Sequence, residues 1–535
     1  MKQCGFCAGC FILITQYQIM FSRKKYIVLL VCLMSAGLFS CKKWDDHTAI
    51  TEQALNENLL EQINKQTELS KFSEYLVKTG LDKEISSSKN YTVWAPTNTA
   101  LATLAADVVS DTAKLKAFLL NHISAQLFFT RQAQDTVRVQ MMNGKRVSAY
   151  RTKFDEATIT KADVYVRNGV LQIIDKMVPP LMSVFEYMNS APLYAQNKYL
   201  TDLTYNFQDP AKAELDSINP VTGNPVYKPG TGIVRVNAFR TKVYDVANED
   251  SLYTYIVLSP AAYTTEIAKQ LPYFKSVVPN LADSNAAWNV SKDLALKGVY
   301  TPTQLAAGVV SKFGVRVAVT ASGIVATQKL SNGVLYIVNA VTTTLADKIP
   351  AVFVQGEAPY SIKSNETRYL TKLFFRQRAT PAGVPFTDMY LNLGTSGANF
   401  WLDYITNDLY AGKYKVYIVA LNDKTISGQG DDTYGTDSTL QQITQIFPND
   451  STGSATFVPA FRVQTGIKPY TYTETFIGDY TNNSYDAGIF RPASLTGASA
   501  RISRGTTRIR LLTPLTLTGI PYNLTCDYIK FVPQF

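Results

Sequence analysis

Apolar residues recur at helical spacing over residues 53–85, where Leu59 and Ile63 stand about one turn apart. This spacing predicts two helices, and Gly80 ends the second because glycine favours the position after a helix C-terminus. The apolar run at residues 91–95 instead predicts a buried strand. The chain is therefore expected to pass from helix to sheet at this point.

Residues 111–178 predict one helix followed by several strands. The helix begins after Asp111, a residue type that caps helix N-termini. Residues 137–150 alternate between apolar and polar around an Asn-Gly dipeptide, which is typical of a hairpin. Two further strands are predicted at residues 158–166 and 169–178.

Two pairs of matching segments lie the same distance apart. Residues 168–175 read NGVLQIID, and residues 332–339 read NGVLYIVN. Residues 91–96 read YTVWAP, and residues 255–260 read YIVLSP, so both pairs share an offset of 164. A shared offset predicts two copies of one domain.

The second copy, residues 182–346, diverges from the first. At the shared offset Thr97 becomes Ala261, whereas the apolar positions persist. A polar stretch rich in proline and glycine between residues 187 and 248 predicts a loop insertion. This pattern favours a second copy that serves as a spacer.

From residue 349 onward the helical periodicity disappears and short strands alternate with turns to the end of the chain. Several short strands with regular turn signals are typical of an all-β sandwich, which we predict for residues 350–535. The fold class is therefore multidomain, with two α+β domains followed by a sandwich.

The formal net charge of +10 for 535 residues overstates how basic the folded part is. Residues 1–40 hold four basic residues and no acid, which leaves 48 basic against 42 acidic residues. These charges are scattered without a basic block, so we expect no nucleic-acid partner.

The amino terminus has the pattern of an export signal. Arg23 and two lysines precede an apolar run at residues 26–39, which is shorter than the roughly 20 residues of a membrane span. The sequence LFSC ending at Cys41 resembles the lipobox of bacterial lipoproteins. The pattern predicts a signal peptide over residues 1–40, whose proportions favour Met20 as the true start, and the resemblance implies a lipid on Cys41.

By the same resemblance, residues 41–52 are a lipidated tether. Lys42 and Lys43 followed by acidic residues are similar to the export signals of Bacteroidetes surface lipoproteins, which implies outer-membrane, cell-surface localisation. The alternative is ordinary cleavage beside an incidental cysteine. After Cys41 the only cysteine is Cys526, so no disulfide can link the folded segments.

The first copy resembles a fasciclin (FAS1) domain. The resemblance rests on YTVWAPTNTAL at residues 91–101, the helix at residues 115–123 and the segment from residue 162 to residue 175. It implies a β-wedge flanked by helices over residues 53–181 and a divergent second FAS1 domain over residues 182–346. In this family a Tyr-His pair is tied to adhesion, and here the pair is Asn121-His122. The alternative is a histidine that packs or caps at a helix end.

The C-terminal segment resembles galactose-binding-like jelly-roll modules of bacterial surface proteins. The resemblance rests on CDYIKFVP at residues 526–533 and on GKYKVY at residues 412–417. It implies a carbohydrate-binding-like β-sandwich over residues 350–535.

Sugar binding requires aromatic faces flanked by polar groups, because sugar C–H faces stack on rings while hydroxyls seek hydrogen-bond partners. The alternative for these aromatic residues is a place in the core. The residues that we predict to contact a glycan are Trp401, Tyr404, Tyr470, Tyr472, Asp479, Tyr480, Asn482, Asn483, Tyr485 and Asp486.

The acidic loop GDDTYGTD at residues 430–437 is a candidate calcium site, because hard cations take several oxygen ligands from flexible loops. Its carboxylates are Asp431, Asp432 and Asp437. Solvated acids in a turn are the alternative. We expect no other cofactor.

The sequence lacks the motifs of the common catalytic centres, including the Gly-x-Ser-x-Gly elbow, the phosphate loop and paired zinc-binding histidines. We therefore expect no catalytic residues. The expected function is binding of glycan or of partner surface proteins, as an accessory to an outer-membrane glycan-uptake system. Adhesion through the FAS1 pair is the alternative, and glycoside hydrolysis is a third possibility that would need two carboxylates at a defined separation.

Overall fold

The computed structural model describes residues 56–132, 135–276, 280–363, 367–380, 382–393, 398–407, 409–422, 440–447, 462–467, 471–485, 507–517 and 522–535. The chain divides into two compact units, Met1–Pro180 and Leu181–Phe535. Six of the predicted site residues lie outside the described residues. They are the lipid site Cys41, the calcium ligands Asp431, Asp432 and Asp437, and the glycan contacts Tyr470 and Asp486.

The first unit surrounds one mixed sheet with short helices. Its described helices are α1 Leu59–Asn64, α2 Ser70–Thr79, α3 Leu81–Ile85, α4 Asn98–Leu101, α5 Ala106–Ser110 and α6 Thr112–Leu120. Its described strands are β1 Tyr91–Pro96, β2 Ile123–Ser124, β3 Val137–Gln140, β4 Arg146–Tyr150, β5 Lys153–Phe154, β6 Ala157–Val166 and β7 Gly169–Ile174. They form a seven-stranded sheet in the order β2-β1-β7-β6-β5-β4-β3.

Strands β1 and β7 run parallel at the centre of this sheet, with Tyr91 opposite Gly169. Every residue of β1 is buried, as expected for a parallel strand that is covered on both faces. One core lies between the sheet and helices α1 to α6, and Phe72 and Phe118 are buried in it. A second core lies around Trp94, whose ring stacks on Phe154 at 4.4 Å between centroids.

The second unit begins with a helix–sheet segment of related design. Its described helices are α7 Val184–Ser190, α8 Ala195–Asp202, α9 Ala238–Lys242, α10 Pro260–Gln270, α11 Leu281–Ser291, α12 Pro302–Ala307 and α13 Leu345–Lys348. Its described strands are β8 Thr204–Gln208, β9 Leu215–Ile218, β10 Pro225–Tyr227, β11 Ile233–Asn237, β12 Tyr253–Leu258, β13 Ala295–Lys297, β14 Val309–Val310, β15 Arg316–Val317, β16 Ile324–Leu330 and β17 Gly333–Val338.

Strand β12 pairs in parallel with β17, and Tyr253 lies opposite Gly333. Tyr91 is therefore equivalent to Tyr253, at an offset of 162, while Gly169 and Gly333 keep the offset of 164. The alignment of residues 91–96 with residues 255–260 is wrong by two residues. A shift of two preserves which face each side chain occupies, so the apolar pattern could not reveal it.

The corrected register restores polar positions that the alignment had treated as lost. Ser259, not Ala261, is equivalent to Thr97, and both backbone N–H groups donate to the last residue of the neighbouring strand. The Thr92 hydroxyl donates to Gln126 O and accepts from Phe128 N, just after the neighbouring strand β2. The Thr254 hydroxyl makes the same two bonds to Gly298 O and Tyr300 N, just after the neighbouring strand β13. The second repeat therefore keeps the polar framework of the first.

The insertion predicted as a loop in the second repeat is built from two small antiparallel sheets. Strand β8 pairs with β11, and β9 pairs with β10. The turn between β9 and β10 closes with a hydrogen bond from Asn219 N to Asn224 O of 2.9 Å. The insertion is thus an ordered arm rather than an irregular loop.

The described residues of the remainder of the second unit form strands, apart from a 3-10 helix at Thr367–Lys372. The strands are β18 Val352–Gln355, β19 Ser361–Ile362, β20 Leu373–Ala379, β21 Pro385–Asn392, β22 Trp401–Thr406, β23 Gly412–Val419, β24 Leu440–Phe447, β25 Arg462–Ile467, β26 Glu474–Asn482, β27 Thr507–Leu512, β28 Asn523–Cys526 and β29 Tyr528–Gln534. They form sheets in the orders β18-β29-β23-β26, β19-β22-β27-β24-β25 and β20-β21-β28.

All three sheets contribute side chains to one sandwich-like core. Val416 and Phe531 come from the four-stranded sheet, Leu402 and Ile509 from the five-stranded sheet, and Met389 from the three-stranded sheet. One face of the five-stranded sheet therefore packs into this core, and the opposite face, called the outer face, points away from it.

Candidate functional site

The outer face of the five-stranded sheet carries a cluster of charged and aromatic side chains. In β22 the side chains of Leu402 and Tyr404 enter the core, so Trp401 and Asp403 lie on the opposite face because side chains alternate along a strand. Strand β27 pairs with β22, with Arg510 opposite Asp403. The outer face therefore brings together groups that are far apart in the sequence.

Arg510 is held by two neighbours at once. Its Nε donates to Asp403 Oδ1 at 2.6 Å, and its Nη2 donates to Asp403 Oδ2 at 2.9 Å. Its guanidinium lies 3.7 Å from the centroid of the Trp401 ring. A bidentate arginine–carboxylate pair is stronger and more directional than a single hydrogen bond, and stacking on the Trp401 indole further orients the guanidinium group.

Arg508 lies beside this pair but is held less completely. Its guanidinium is 4.1 Å from the centroid of the Phe447 ring, and its Nη1 is 3.7 Å from Asp403 Oδ2. Burial lowers the pKa of Arg508, the Asp403 carboxylate opposes this shift, and the neighbouring Arg510 adds to it. Asp403 thus lies near two guanidinium groups, and both of its carboxylate oxygens accept hydrogen bonds from Arg510.

Two buried polar atoms on this face have no hydrogen-bond partner in the part of the chain that the structure describes. They are Nε of Arg508 and Oε1 of Gln445, and Gln445 is 6% exposed. Gln445 lies opposite Arg510 in the pairing of β24 with β27. Because buried polar groups are nearly always paired in native proteins, an unpaired buried donor and an unpaired buried acceptor on paired strands of one sheet face point to a polar ligand at this face.

Arg508, Arg510, Asp403, Gln445, Trp401 and Phe447 are called the outer-face cluster below. Its chemistry suits binding better than proton transfer, because its only carboxylate is 2% exposed and already accepts a bidentate pair. Among the described residues, no group of three or more His, Cys, Asp or Glu side chains is arranged to hold a metal ion.

Of the predicted glycan contacts, Trp401 belongs to the outer-face cluster, whereas Tyr404 and Tyr480 lie in the sandwich core. Tyr404 is fully buried, and its hydroxyl donates to Gly356 O at 3.0 Å. Tyr480 is 7% exposed and packs against Phe531. Neither ring presents a face to solvent, since both stand on the inward-facing positions of their strands.

Asn482 and Tyr485 lie where the second repeat meets the sandwich. Asn482 is buried and its Nδ2 donates to Leu409 O at 2.8 Å and to Tyr410 O at 3.1 Å. Tyr485 stacks on Tyr410 at 4.9 Å, and Phe274 of the second repeat packs edge-on against both rings. These side chains join two parts of the second unit instead of facing solvent.

The other described candidates are dispersed. Tyr472 donates to Asp527 Oδ2 at 2.6 Å and packs against Phe386. Asp479 and Asn483 are exposed, on and just after β26. The predicted set therefore forms no single site, and Trp401 alone of its described members lies in the outer-face cluster.

Sequence reasoning missed the other five members of the cluster, which are Asp403, Gln445, Phe447, Arg508 and Arg510. One signal was present, since Thr507–Leu512 alternates arginine with apolar residues, which is typical of a strand with one charged face. The pairing of that strand with β22 could not be derived, because 107 residues separate Arg510 from Asp403.

His122 in the first unit has a structural environment. It is fully buried, with Nδ1 2.9 Å from Phe118 O, and its Nε2 accepts from Val178 N at 3.0 Å. These partners place the ring proton on Nδ1, and burial lowers the pKa of His122 to about 4. Asn121 donates to Val178 O at 2.9 Å. The Asn-His pair thus fastens the segment around Val178 to the end of α6.

Comparison with known proteins identifies one part of the chain. Residues 67–180 match the family model described as the fasciclin domain, so this region is a fasciclin (FAS1) domain. The comparison with curated proteins gave no match. In the described residues, no helix is long and apolar enough to cross a membrane.

Two of the solved structures that are similar to the chain show the range of these matches. One is a FAS1 domain pair from the insect cell adhesion molecule fasciclin I, with 16% identity over 53% of this chain and 99% of that chain and a TM-score of 0.22. The other is a GH26-CBM35 β-(1,4)-mannanase from Podospora anserina, with 11% identity over 35% of this chain and 28% of that chain and a TM-score of 0.19.

Proposed function

We propose that this chain is a non-catalytic cell-surface protein that binds carbohydrate on the outer-face cluster. Two tandem fasciclin domains carry a C-terminal jelly-roll sandwich, and a lipid on Cys41 anchors the chain in the outer membrane. In this position the protein presents glycan to an outer-membrane uptake system. Only residues 67–180 are assigned to the fasciclin family by their sequence match.

The observation that carries the proposal is the pair of buried, unpaired polar atoms on the sheet face that also carries the stacked Trp401 and Arg510. Sugars offer hydroxyls that both donate and accept, and a half-buried aromatic and guanidinium surface supplies the flat contact they need. Arg508 Nε and Gln445 Oε1 offer one donor and one acceptor to such a ligand. If these side chains served only to stabilise the sheet, both atoms would be expected to find hydrogen-bond partners within the protein.

Affinity electrophoresis of residues 42–535 through gels containing galactomannan, xylan, pectic galactan or polygalacturonate tests the proposal. We expect retardation in at least one gel and its loss in Trp401→Ala. Phe353→Ala is the matched control, because Phe353 is a half-exposed aromatic residue on the four-stranded sheet. Absence of retardation in every gel, or equal retardation of Trp401→Ala and the parent chain, would overturn the proposal.

A second candidate function is adhesion through the first fasciclin domain. Phe129, Tyr165 and Arg131 form an accessible group in which the two rings lie 5.6 Å apart and the guanidinium lies 5.6 Å from the centroid of the Phe129 ring. Leu127 nearby is 46% exposed. Aromatic residues and arginine are the residue types that dominate protein–protein contacts.

Cell-binding assays separate the two candidates. If adhesion is the function, Tyr165→Ala abolishes retention of cells by the immobilised chain, while Trp401→Ala leaves it intact. If carbohydrate binding is the function, the two variants behave in the opposite way toward polysaccharide. Incubation with the retained polysaccharide should release no new reducing ends, because the proposed function includes no hydrolysis.

A further inference from the structure

The charges of the outer-face cluster do not balance. Two guanidinium groups, Arg508 and Arg510, face one carboxylate, Asp403. The bidentate pair with Arg510 uses both oxygens of Asp403, at 2.6 Å and 2.9 Å. Arg508 reaches that carboxylate only at 3.7 Å, which is too long for a hydrogen bond.

Arg508 is also poorly solvated. Its side chain is 18% exposed, and its Nε is buried without a hydrogen-bond partner in the described part of the chain. A buried cation is stable only when it is paired and hydrogen-bonded, and a guanidinium stays protonated at any physiological pH. The site therefore favours a ligand that brings a second negative charge to Arg508.

Gln445 restricts which anion fits. Its unpaired Oε1 is an acceptor, so a carboxylate placed there would meet a lone pair and gain nothing. A hydroxyl group satisfies it by donating. The ligand must thus combine an anionic group for Arg508 with a hydroxyl for Gln445, and a pyranose ring with a carboxylate substituent carries both kinds of group.

We infer that the outer-face cluster selects acidic polysaccharide, in which the carboxylate of a uronic acid residue pairs with Arg508 and a ring hydroxyl donates to Gln445 Oε1. This inference rests on the proposed function and adds the class of sugar. The carboxylate suits Arg508 because guanidinium and carboxylate match in planar geometry. The half-buried ring of Trp401 supplies aromatic surface for the sugar ring.

Calorimetric titration of residues 42–535 with oligogalacturonate and with the same oligomer after chemical reduction of its carboxyl groups tests the inference. The two probes differ only in the charged group. A charge-assisted hydrogen bond in a partly buried site corresponds to a difference of at least about tenfold in Kd, with the acidic oligomer binding more tightly. Equal binding of both oligomers would overturn the inference and leave the proposed function standing.

Two variants locate the effect. Arg508→Gln should weaken binding of the acidic oligomer more than binding of the reduced one, so that the preference for the acidic oligomer disappears. Gln445→Glu is almost isosteric, and it adds a second carboxylate to the same sheet face, on the strand that pairs with the strand of Arg508. This variant should abolish the preference for the acidic oligomer. A preference that survives in Gln445→Glu would contradict the assignment.

Dextran sulfate and a poly-glutamate peptide distinguish sugar recognition from simple attraction of polyanions. The inference expects weaker binding of both than of oligogalacturonate at equal charge and at physiological salt. Equal or tighter binding of dextran sulfate would indicate non-specific charge attraction, and tighter binding of the peptide would indicate an acidic protein partner. Either result would overturn the inference. Failure of both oligomers while a neutral polysaccharide is retained would overturn it without touching the proposed function.

Discussion

Asn168 and Asn332 make the same set of three hydrogen bonds in the two repeats. The side-chain oxygen of each accepts from the first residue of a helix, Leu59 N in one case and Val184 N in the other, both at 2.9 Å. The side-chain nitrogen of each donates to two backbone carbonyls of the segment that leads into the central strand. One asparagine thus ties three chain segments together in each repeat.

Replacing either asparagine should destabilise the unit that contains it. Asn168→Ala leaves one buried N–H and two carbonyls unpaired, which predicts a loss of about 2–3 kcal/mol in the free energy of unfolding of the first unit. Asn332→Ala should act in the same way on the second unit. Urea denaturation with probes in each unit measures both, and Asn206→Ala, an exposed position, is the control. A loss as small as that of the control would contradict the structural role.

The glycine that follows each asparagine should be irreplaceable. Gly169 has φ +152°, and a Cβ there would lie 1.9 Å from Tyr91 O; at Gly333 the distance to Tyr253 O is 1.8 Å. Backbone atoms cannot yield as a side chain can, so Gly169→Ala should cost about 3 kcal/mol or more of stability. Gly144→Ala is the matched control, because its φ is also positive but nothing lies within 4 Å. Thermal unfolding should show the larger shift for Gly169→Ala, and equal shifts would refute the clash.

The repeat shows which part of the fold the sequence could predict. The Asn-Gly signature located β7 and β17, because a turn glycine beside an apolar strand is a local feature. The partner strands were aligned two residues away from their true register, since the alternation of faces repeats every two residues. Register depends on pairing across about 80 residues, which no local pattern contains.

The buried His122 should make the first unit sensitive to acid. Its pKa falls from 6.5 to about 4 on folding, so the unfolded chain binds the extra proton between these pH values. The contribution of His122 to the free energy of unfolding is therefore fully present above pH 6.5. It falls by about 3 kcal/mol as the pH drops toward 4. Urea denaturation of the first unit across this pH range measures the slope.

His122→Gln isolates this contribution from that of the carboxyl groups. The variant is expected to be less stable throughout, because the bonds to Phe118 O and Val178 N are disturbed. The informative quantity is the difference in pH slope between the parent and the variant, which should be confined to pH 4–6.5. Parallel slopes would show that His122 does not titrate on unfolding in this range.

The candidate site was only partly predictable for the same reason as the register. Trp401 was predicted as a glycan contact with a place in the core as the alternative. The structure leaves it half-buried, and its ring packs against Arg510 of a strand that lies far away along the chain. Tyr404 and Tyr480 were chosen by residue type, and burial of their strand faces removed them. Composition thus indicated the kind of chemistry, and tertiary pairing decided which residues supply it.

Phe274 should couple the second repeat to the sandwich. It is 3% exposed and packs against Tyr410 and Tyr485 at 5.3 Å and 5.2 Å, and the backbone bonds from Ala411 N to Tyr273 O and from Tyr485 N to Lys275 O flank it. Removing a buried phenylalanine costs about 3–5 kcal/mol, so Phe274→Ala should weaken this junction more than either neighbouring core.

We expect the second unit of Phe274→Ala to unfold in two steps where the parent chain unfolds in one, because the sandwich and the repeat each retain a core of their own. Amide exchange at Ala411 and Tyr485 should rise in the variant before that of the core strands β12 and β23. Phe207→Ala, at a 45% exposed position of the arm, should change neither result. A single transition with unchanged exchange at both amides would show that the junction is held by contacts other than the Phe274 ring.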